Sequence, residues 1–408
     1  MSFMKKSEYL RFNFFFDFFL KNKAFPSFYA KITETFSGER FDDQQIRKTI
    51  GIANKVISIY DIPGYLKVEP KHENESTVLE IPLYSGYLIN LSGYSDFQNY
   101  MQAKFKKVRR SQLRRLTKRL DLCLRPTYKV YYGAIEKAEY DHLFKTLLVM
   151  TERRFIQKKE RNFEIPFLKM YRKIMYPLIL EKRASIFVIY DRDKPINISL
   201  NFIDKNIVFH WNSCFDIDYS VFSIGRINIV NHLQWSYENG FKLFDMGRGD
   251  FFHKRKWVDN TYTYKEQLVF DSKSFYAIVS AYSRFLLLKL RYYFIHIMKA
   301  LKLHLWYGKF ITYRYASSRE FKDKLSKQEI TIVRDDFEFP PIDQLKKVKF
   351  NQIESSLLIC SVNNFIHKNQ IYIQNLSVFS EIGNHNTFYL KWNKEVQKLI
   401  ISSKEETS

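Results

Sequence analysis

Cysteine is nearly absent from this chain. Cys123, Cys214 and Cys360 are the only three in 408 residues, widely spaced and odd in number. They draw neither a disulfide framework nor a zinc-ligand spacing, which implies a reducing compartment. The nine histidines form no HExxH motif and no His–Cys cluster, so a metal site is not indicated. Glycine (12) and proline (10) are scarce too, which excludes collagen-like or low-complexity architecture. Long apolar runs are also missing. None approaches the roughly 18 uncharged residues of a spanning helix. The nearest, Phe275 to Tyr307, is interrupted by Arg284, Lys289, Arg291, Lys299 and Lys302. The expectation there is a basic helix packed on its own protein, with an anionic membrane surface as the alternative.

Acidic residues are the remaining shortage. Lys and Arg number 66 against 43 Asp and Glu, a net charge of +23. Such an excess suits an anionic partner: nucleic acid, nucleotide phosphates or an acidic membrane face. Lys, Ile, Asn, Phe and Tyr are all abundant, however, as AT-rich coding produces without selection for charge. The local concentration says more than the total. Met101 to Arg125 holds ten Lys/Arg against a single acid, Asp121.

Hydrophobic residues make up 46% of the chain, enough for two or three globular domains. The start, MSFMKKSEYLRFNFFFDFFLKNKAF, superficially resembles a signal peptide. Arg11, Asn13 and Asp17 break the apolar run and no small-residue cleavage site follows, so it reads as an aromatic-rich amphipathic segment. Residues 1–55 read as mostly helical, followed by short β runs to about residue 92. Ser95-Asp96 is a plausible cap for a long helix through KKVRRSQLRRLTKRLDL, with Phe105, Val108, Leu113, Leu116 and Leu120 on one face.

The order that follows is informative. A strand at Tyr128–Tyr132 precedes two helices, Glu139–Phe155 and Ile165–Leu180. Three runs, SIFVIY, INISLNFI and IVFHWNS, are separated by the turns DRDKP and DKN and should form an antiparallel meander. A helix from about Gly225 to Asn239 stops at Gly240, then KLFDM and TYTYKEQLVF supply two more strands. A helix joining Ile207–Asn212 to Lys242–Met246 in one sheet is a crossover, so a parallel junction with a cleft is expected there. ITIVRDDFEFPP, SSLLICSVNNF and QIYIQNLSVFS look like strands, and the terminal SSKEETS should be disordered.

That element order is the order of the Gcn5-related acetyltransferase (GNAT) fold. Two blocks sharpen the likeness: the basic helix KFKKVRRSQLRRLTKRL, and SIGRINIVNHLQWSYENGFKLFDMGRGDFFHKRKW. They resemble the GNAT-like CelD/BcsL family (BioF2-like acetyltransferase domain) of bacterial polysaccharide loci, distantly related to Fem-type peptidoglycan ligases. The likeness spans about residues 96–270. Phe251 stands where an acidic residue is common in that family, and His253 where Tyr is usual before Lys254. The resemblance implies an α/β fold, a GNAT-like mixed sheet flanked by helices, with extra N-terminal and C-terminal regions. The expected divisions are an N-terminal region 1–95 packing on the core, the acyltransferase domain 96–270, a basic helical region 271–318 and an appended small α/β or β-rich domain 319–408.

Acyl transfer to an amine requires held donor phosphates, a polarised carbonyl, a deprotonated amine and an oriented acceptor. Ser223, Ile224, Gly225 and Arg226 open a predicted helix, where free N–H groups and the positive helix end attract anions. Ser-x-Gly there is also an ordinary cap; the resemblance implies coenzyme A pyrophosphate at this place. Lys254 is the candidate stabiliser of a developing oxyanion, matching the aromatic-Lys element of Fem-type enzymes; by itself it reads as part of a solvated basic turn with Arg255 and Lys256. Asp245 or Asp250 could take the amine proton, or could pair with Arg248 across Gly247 and Gly249 to stiffen the turn. His210, on a strand, and His253, on a loop, are the alternative bases. Asp216 could bind acceptor hydroxyls or simply make a turn, and Arg110 and Arg114 offer charge to a phosphate-bearing acceptor.

The expectation from these residues is a cytoplasmic acyltransferase, peripheral at the inner membrane face in one variant. It would carry acetyl from acetyl-CoA or another acyl-CoA, without a metal, to an amine such as an amino sugar on a small-molecule or lipid- or nucleotide-linked acceptor, and the resemblance implies a place in cell-surface polysaccharide biosynthesis. The rivals are a Fem-like transferase using aminoacyl-tRNA and a non-catalytic nucleic-acid or membrane-binding protein.

Overall fold

A computed structural model describes every residue except 1–6, 21–23, 41–45, 72–75, 250–251, 326–327, 334–336 and 404–408. The aromatic N-terminal stretch is built mainly of short strands, not helices: β1 (Glu8–Asn13), β2 (Ala24–Pro26), β3 (Tyr29–Glu34) and β4 (Ile46–Lys48). Among the described residues of this stretch only Phe14–Leu20 coils, and it buries Phe14, Phe15 and Phe18. Aromatic side chains lose rotamer freedom in helices and pack well on pleated surfaces, so tertiary burial overrode the helical reading. The β runs that follow form as expected, as β5 (Lys55–Ile62), β6 (Leu66–Pro70) and the long β7 (Ser76–Asn90).

Asp96 caps the next helix, its carboxylate accepting the Asn99 N–H at 2.8 Å. The expected single long helix is two. Phe105 is extended and separates α1 (Phe97–Lys104) from α2 (Lys107–Leu124). The break rotates the faces, leaving Val108 80% exposed while Leu113 and Leu120 stay buried. β8 (Thr127–Tyr131), α3 (Lys137–Lys158), α4 (Ile165–Leu180), β9 (Ala184–Asp191), β10 (Lys194–Asp204), β11 (Ile207–Phe215), α5 (Ile224–Glu238), β12 (Leu243–Arg248), α6 (Phe252–Arg255) and β13 (Asn260–Asp271) follow in the expected order. Gly240 stops α5 in the left-handed region, φ 72°.

Beyond α7 (Phe275–Ala300), α8 (Leu303–Ala316) and α9 (Arg319–Lys324) come β14 (Gln328–Val333), β15 (Leu345–Val348), α10 (Ser356–Asn369), β16 (Ser377–Glu381), β17 (Asn384–Trp392) and β18 (Glu395–Ser403). The SSLLICSVNNF segment is therefore a helix. Leu358, Ile359, Val362, Phe365 and Ile366 are its buried residues, at helical spacing in a run too short for periodicity alone to decide. Of the SSKEETS tail, Ser402 and Ser403 close β18, and the rest lies outside the described residues.

The chain forms an α/β structure in two compact units, residues 1–93 with 243–308, and residues 94–242 with 309–408. In the first, strands lie in the order β1-β5-β13-β7-β12. β1 and β5 are parallel and the other neighbours antiparallel, so the sheet is mixed. In the second, β11-β10-β9-β8 form the expected antiparallel meander with β8 at its edge. Helices α3, α4 and α5 pack on it. The unbroken burial of β9 requires cover on both faces. A five-stranded antiparallel sheet, β14-β18-β17-β16-β15, forms the C-terminal region of that unit. Its Leu390 and Leu399 join Val362 and Ile366 of α10, Leu120 and Cys123 of α2 and Ile227 of α5 in one core. Each such side chain contributes about 1.5–3 kcal/mol by burial.

Candidate functional site

In the first unit the polar centre is Asp245. β12 carries it inward, and its pairing with β7 slips between Asp245 and Arg248. Gly247 (φ 67°) and Gly249 (φ 101°) take the left-handed turn that the slip requires. The Asp245 carboxylate is 1% exposed. It accepts the Tyr65 hydroxyl at 2.8 Å, the Tyr262 hydroxyl at 2.7 Å and the Gly247 N–H at 2.7 Å. The Tyr262 and Tyr264 hydroxyls lie 2.9 Å apart, and the Tyr65 and Tyr262 rings meet edge to face. Tyr262 crosses directly over Gly86 of β7, where any β-carbon would strike the ring.

Burial raises the Asp245 carboxyl above its ordinary value, against the pull of the Tyr262, Gly247 and Tyr65 hydrogen bonds and the Lys254 charge. Burial, then the Asp245 charge, pushes the Tyr65, Tyr262 and Tyr264 hydroxyls well up. The phenols therefore remain protonated donors at physiological pH.

Lys254, on α6, is half-buried and donates to the Met246 carbonyl at 2.6 Å and the Arg248 carbonyl at 2.7 Å. It is not a solvated turn residue. Burial lowers its ammonium to about 8, with Arg248 adding to the shift and Asp245 opposing it. Arg248 donates to the Tyr84 hydroxyl at 3.3 Å and lies over that ring. Tyr84 in turn donates to Asp61, whose other oxygen accepts Asn13 at 2.8 Å. Asp245 is thus held by tyrosines and a backbone N–H, where an Asp–Arg248 fork was one sequence reading. Asp250, and the side chain of His253, lie outside the described residues.

The second unit holds the other sequence candidates. Ser223 precedes α5 in the left-handed region (φ 56°) with no side-chain cap bond. Ile224 is fully buried, and Arg226 is exposed. A notional β-carbon on Gly225 would touch the Phe215 ring at an ordinary van der Waals distance of 3.9 Å. Arg109 of α2 donates to Gln112 at 2.5 Å, and its guanidinium pKa is lowered, first by burial and then by the charge of Arg226. Arg110 instead binds the carbonyls at the end of α1, Phe105 at 2.7 Å and Gln102 at 3.4 Å, and Arg114 is exposed on α2.

His210 belongs to a buried polar chain. Its Nδ1 is 3.0 Å from the Asn201 Oδ1, and the Asn201 amide nitrogen is 3.2 Å from Nε2 of His232. His232 lies under Phe187 at 3.7 Å, and burial lowers it to about 3, so it is neutral. Its Nδ1 donates to the Asn228 carbonyl at 2.8 Å, and its Nε2 then accepts from Asn201. That direction makes Nδ1 of His210 a donor and, in the neutral ring, puts the lone pair on Nε2. Asp216 has its oxygens on Arg153 at 2.9 Å and Lys194 at 2.8 Å. Asp218 binds the same arginine at 2.7 Å and Ser356 of α10 at 2.6 Å.

The structure gathers Asp245, Arg248 and Lys254 in one unit around Tyr65, Tyr84, Tyr262 and Tyr264. Sequence reasoning passed over those tyrosines. The signal was the TYTY alternation, which puts Tyr262 and Tyr264 on one face of β13.

Residues 106–255 match the acetyltransferase (GNAT) domain, so the chain carries a GNAT acetyltransferase-like domain. No curated protein matches the sequence. Among solved structures, L-PGS from Bacillus licheniformis is 13% identical, TM-score 0.35, over 56% of this chain and 72% of that one. FemX is 11% identical, TM-score 0.36, over 53% and 72%. A GCN5-related N-acetyltransferase from Kribbella flavida is 10% identical, TM-score 0.26, over 54% and 69%. Similarity at this level is silent on substrate.

Proposed function

We propose that the protein is an acyltransferase that moves an acyl group, most simply acetyl from acetyl-CoA, to an amine such as an amino sugar of a surface polysaccharide. The observation that carries the reading is Lys254. The GNAT-like match runs through it, and its ammonium is desolvated and held by two carbonyls beside a buried carboxylate. An ammonium oriented in this way is a preorganised donor for the oxyanion of a tetrahedral intermediate. Asp245 orients rather than reacts, since three donors already occupy it. A general base would take the amine proton as nitrogen attacks the thioester, and the C–S bond would break to release coenzyme A as a thiolate, which takes up a proton to leave as the thiol.

The test is twofold. Acetyl-CoA should raise the melting temperature of the protein, and native mass spectrometry should find coenzyme A or an acylated product bound. Lys254→Ala should lower transfer about 10²–10³-fold while circular dichroism stays unchanged. An unaltered rate in that variant, or protection by aminoacyl-tRNA alone, would overturn the reading.

A further inference from the structure

Helix α7 is amphipathic the wrong way round. Its first turns pack on the sheet of their own unit through small residues: Ala277 and Ala281 are fully buried with Val56 and Phe270. The large apolar residues point elsewhere. Leu286, Leu290, Phe294, Ile297 and Leu301 follow one another at intervals of three and four residues, and all are 56–63% exposed. On a helix of 3.6 residues per turn they form one stripe, opposite the alanine face. After the turn at Lys302, Trp306 is 76% exposed and Tyr307 63%. A continuous apolar surface of this kind marks an interaction site rather than an ordinary solvent face.

Charge decides what covers it. From Ser272 to Arg319 the chain contains no Asp or Glu, but Arg284, Lys289, Arg291, Lys299 and Lys302 lie along α7 and its turn. Lys289 flanks one edge of the stripe, and Arg284 and Arg291 the other. A second copy of this surface would bring like charges together. A nucleic acid would satisfy the cations and leave the Leu, Ile and Phe side chains without apolar cover. An anionic bilayer surface satisfies both: acyl chains take the stripe, lipid phosphates take the flanks, and Tyr and Trp suit the boundary. No described helix is long and apolar enough to cross a membrane, so the geometry is one of lying in the surface plane.

We infer that α7 and the turn after it dock the protein on an anionic lipid surface. The full chain should sediment with vesicles containing phosphatidylglycerol and stay in solution with pure phosphatidylcholine. Replacing the exposed stripe (Leu286→Ser, Leu290→Ser and Phe294→Ser together) should weaken binding at least about tenfold. The pair Lys289→Glu and Arg291→Glu should weaken it about as much and reduce its salt dependence. Brominated lipids should quench wild-type tryptophan emission, and Trp306→Phe should remove most of that quenching. Failure of the wild type to bind anionic vesicles would overturn the inference. So would equal binding to neutral vesicles, or a dimer that the triple change dissociates. RNA binding that survives the triple change while vesicles are ignored would do the same.

Discussion

Two buried carboxylate sites, one in each unit, show how partners decide what a charge is for. Asp216 and Asp218 are neutralised by a guanidinium, Arg153, and by Lys194, and Ser356 ties the same cluster to α10. Asp245 is as deeply buried, but phenols and a backbone N–H solvate it, and its nearby cation is an ammonium lowered to about 8. Arginine stays charged at any accessible pH, so the first site is a fixed clamp. Lysine gains or loses its proton close to working pH, so the second can respond.

Removing the clamp should have the largest effect on stability. Arg153→Ala leaves buried Asp218 without its cation and Asp216 with Lys194 alone, and should cost about 3–5 kcal/mol, read as the shift in urea midpoint. A loss no larger than that of a surface arginine would erase the contrast. Crowding the tyrosine cluster is next. Gly86→Ala puts a methyl into the Tyr262 ring and should cost about 1–3 kcal/mol, while lowering transfer because Tyr262 must leave Asp245. Unchanged stability would mean that the ring has room.

The finest test is the pH profile. The proposed role needs the protonated ammonium, so transfer should decline as pH rises through about 8. Asp245 is the charge that holds the Lys254 pKa up, so Asp245→Asn should move that decline to lower pH. A limb that stays put would separate Lys254 from the rate.

Much of the second unit was legible because local signals agreed. The meander from Ala184 to Phe215 follows from three apolar runs and two tight polar turns, and α5 from its glycine stop. The N-terminal strands and α10 were misread for one reason: short aromatic or apolar runs fit either period until a neighbour is known. At the candidate site, Asp245, Arg248 and Lys254 stood out by charge and glycine context. Tyr65 and Tyr84 did not, lying some 160 or more positions away in the chain from Asp245 and Arg248.

The sequence by itself determined the order of elements from β8 to β13, the acid-free basic stretch and the glycine-rich turn, because turns, periodicity and charge act over a few residues. Tertiary structure decided that Lys254 is desolvated, that Asp245 meets tyrosines and that α7 turns its apolar stripe outward. Burial and hydrogen-bond partners depend on which distant segments meet, and short-range pattern does not carry that information.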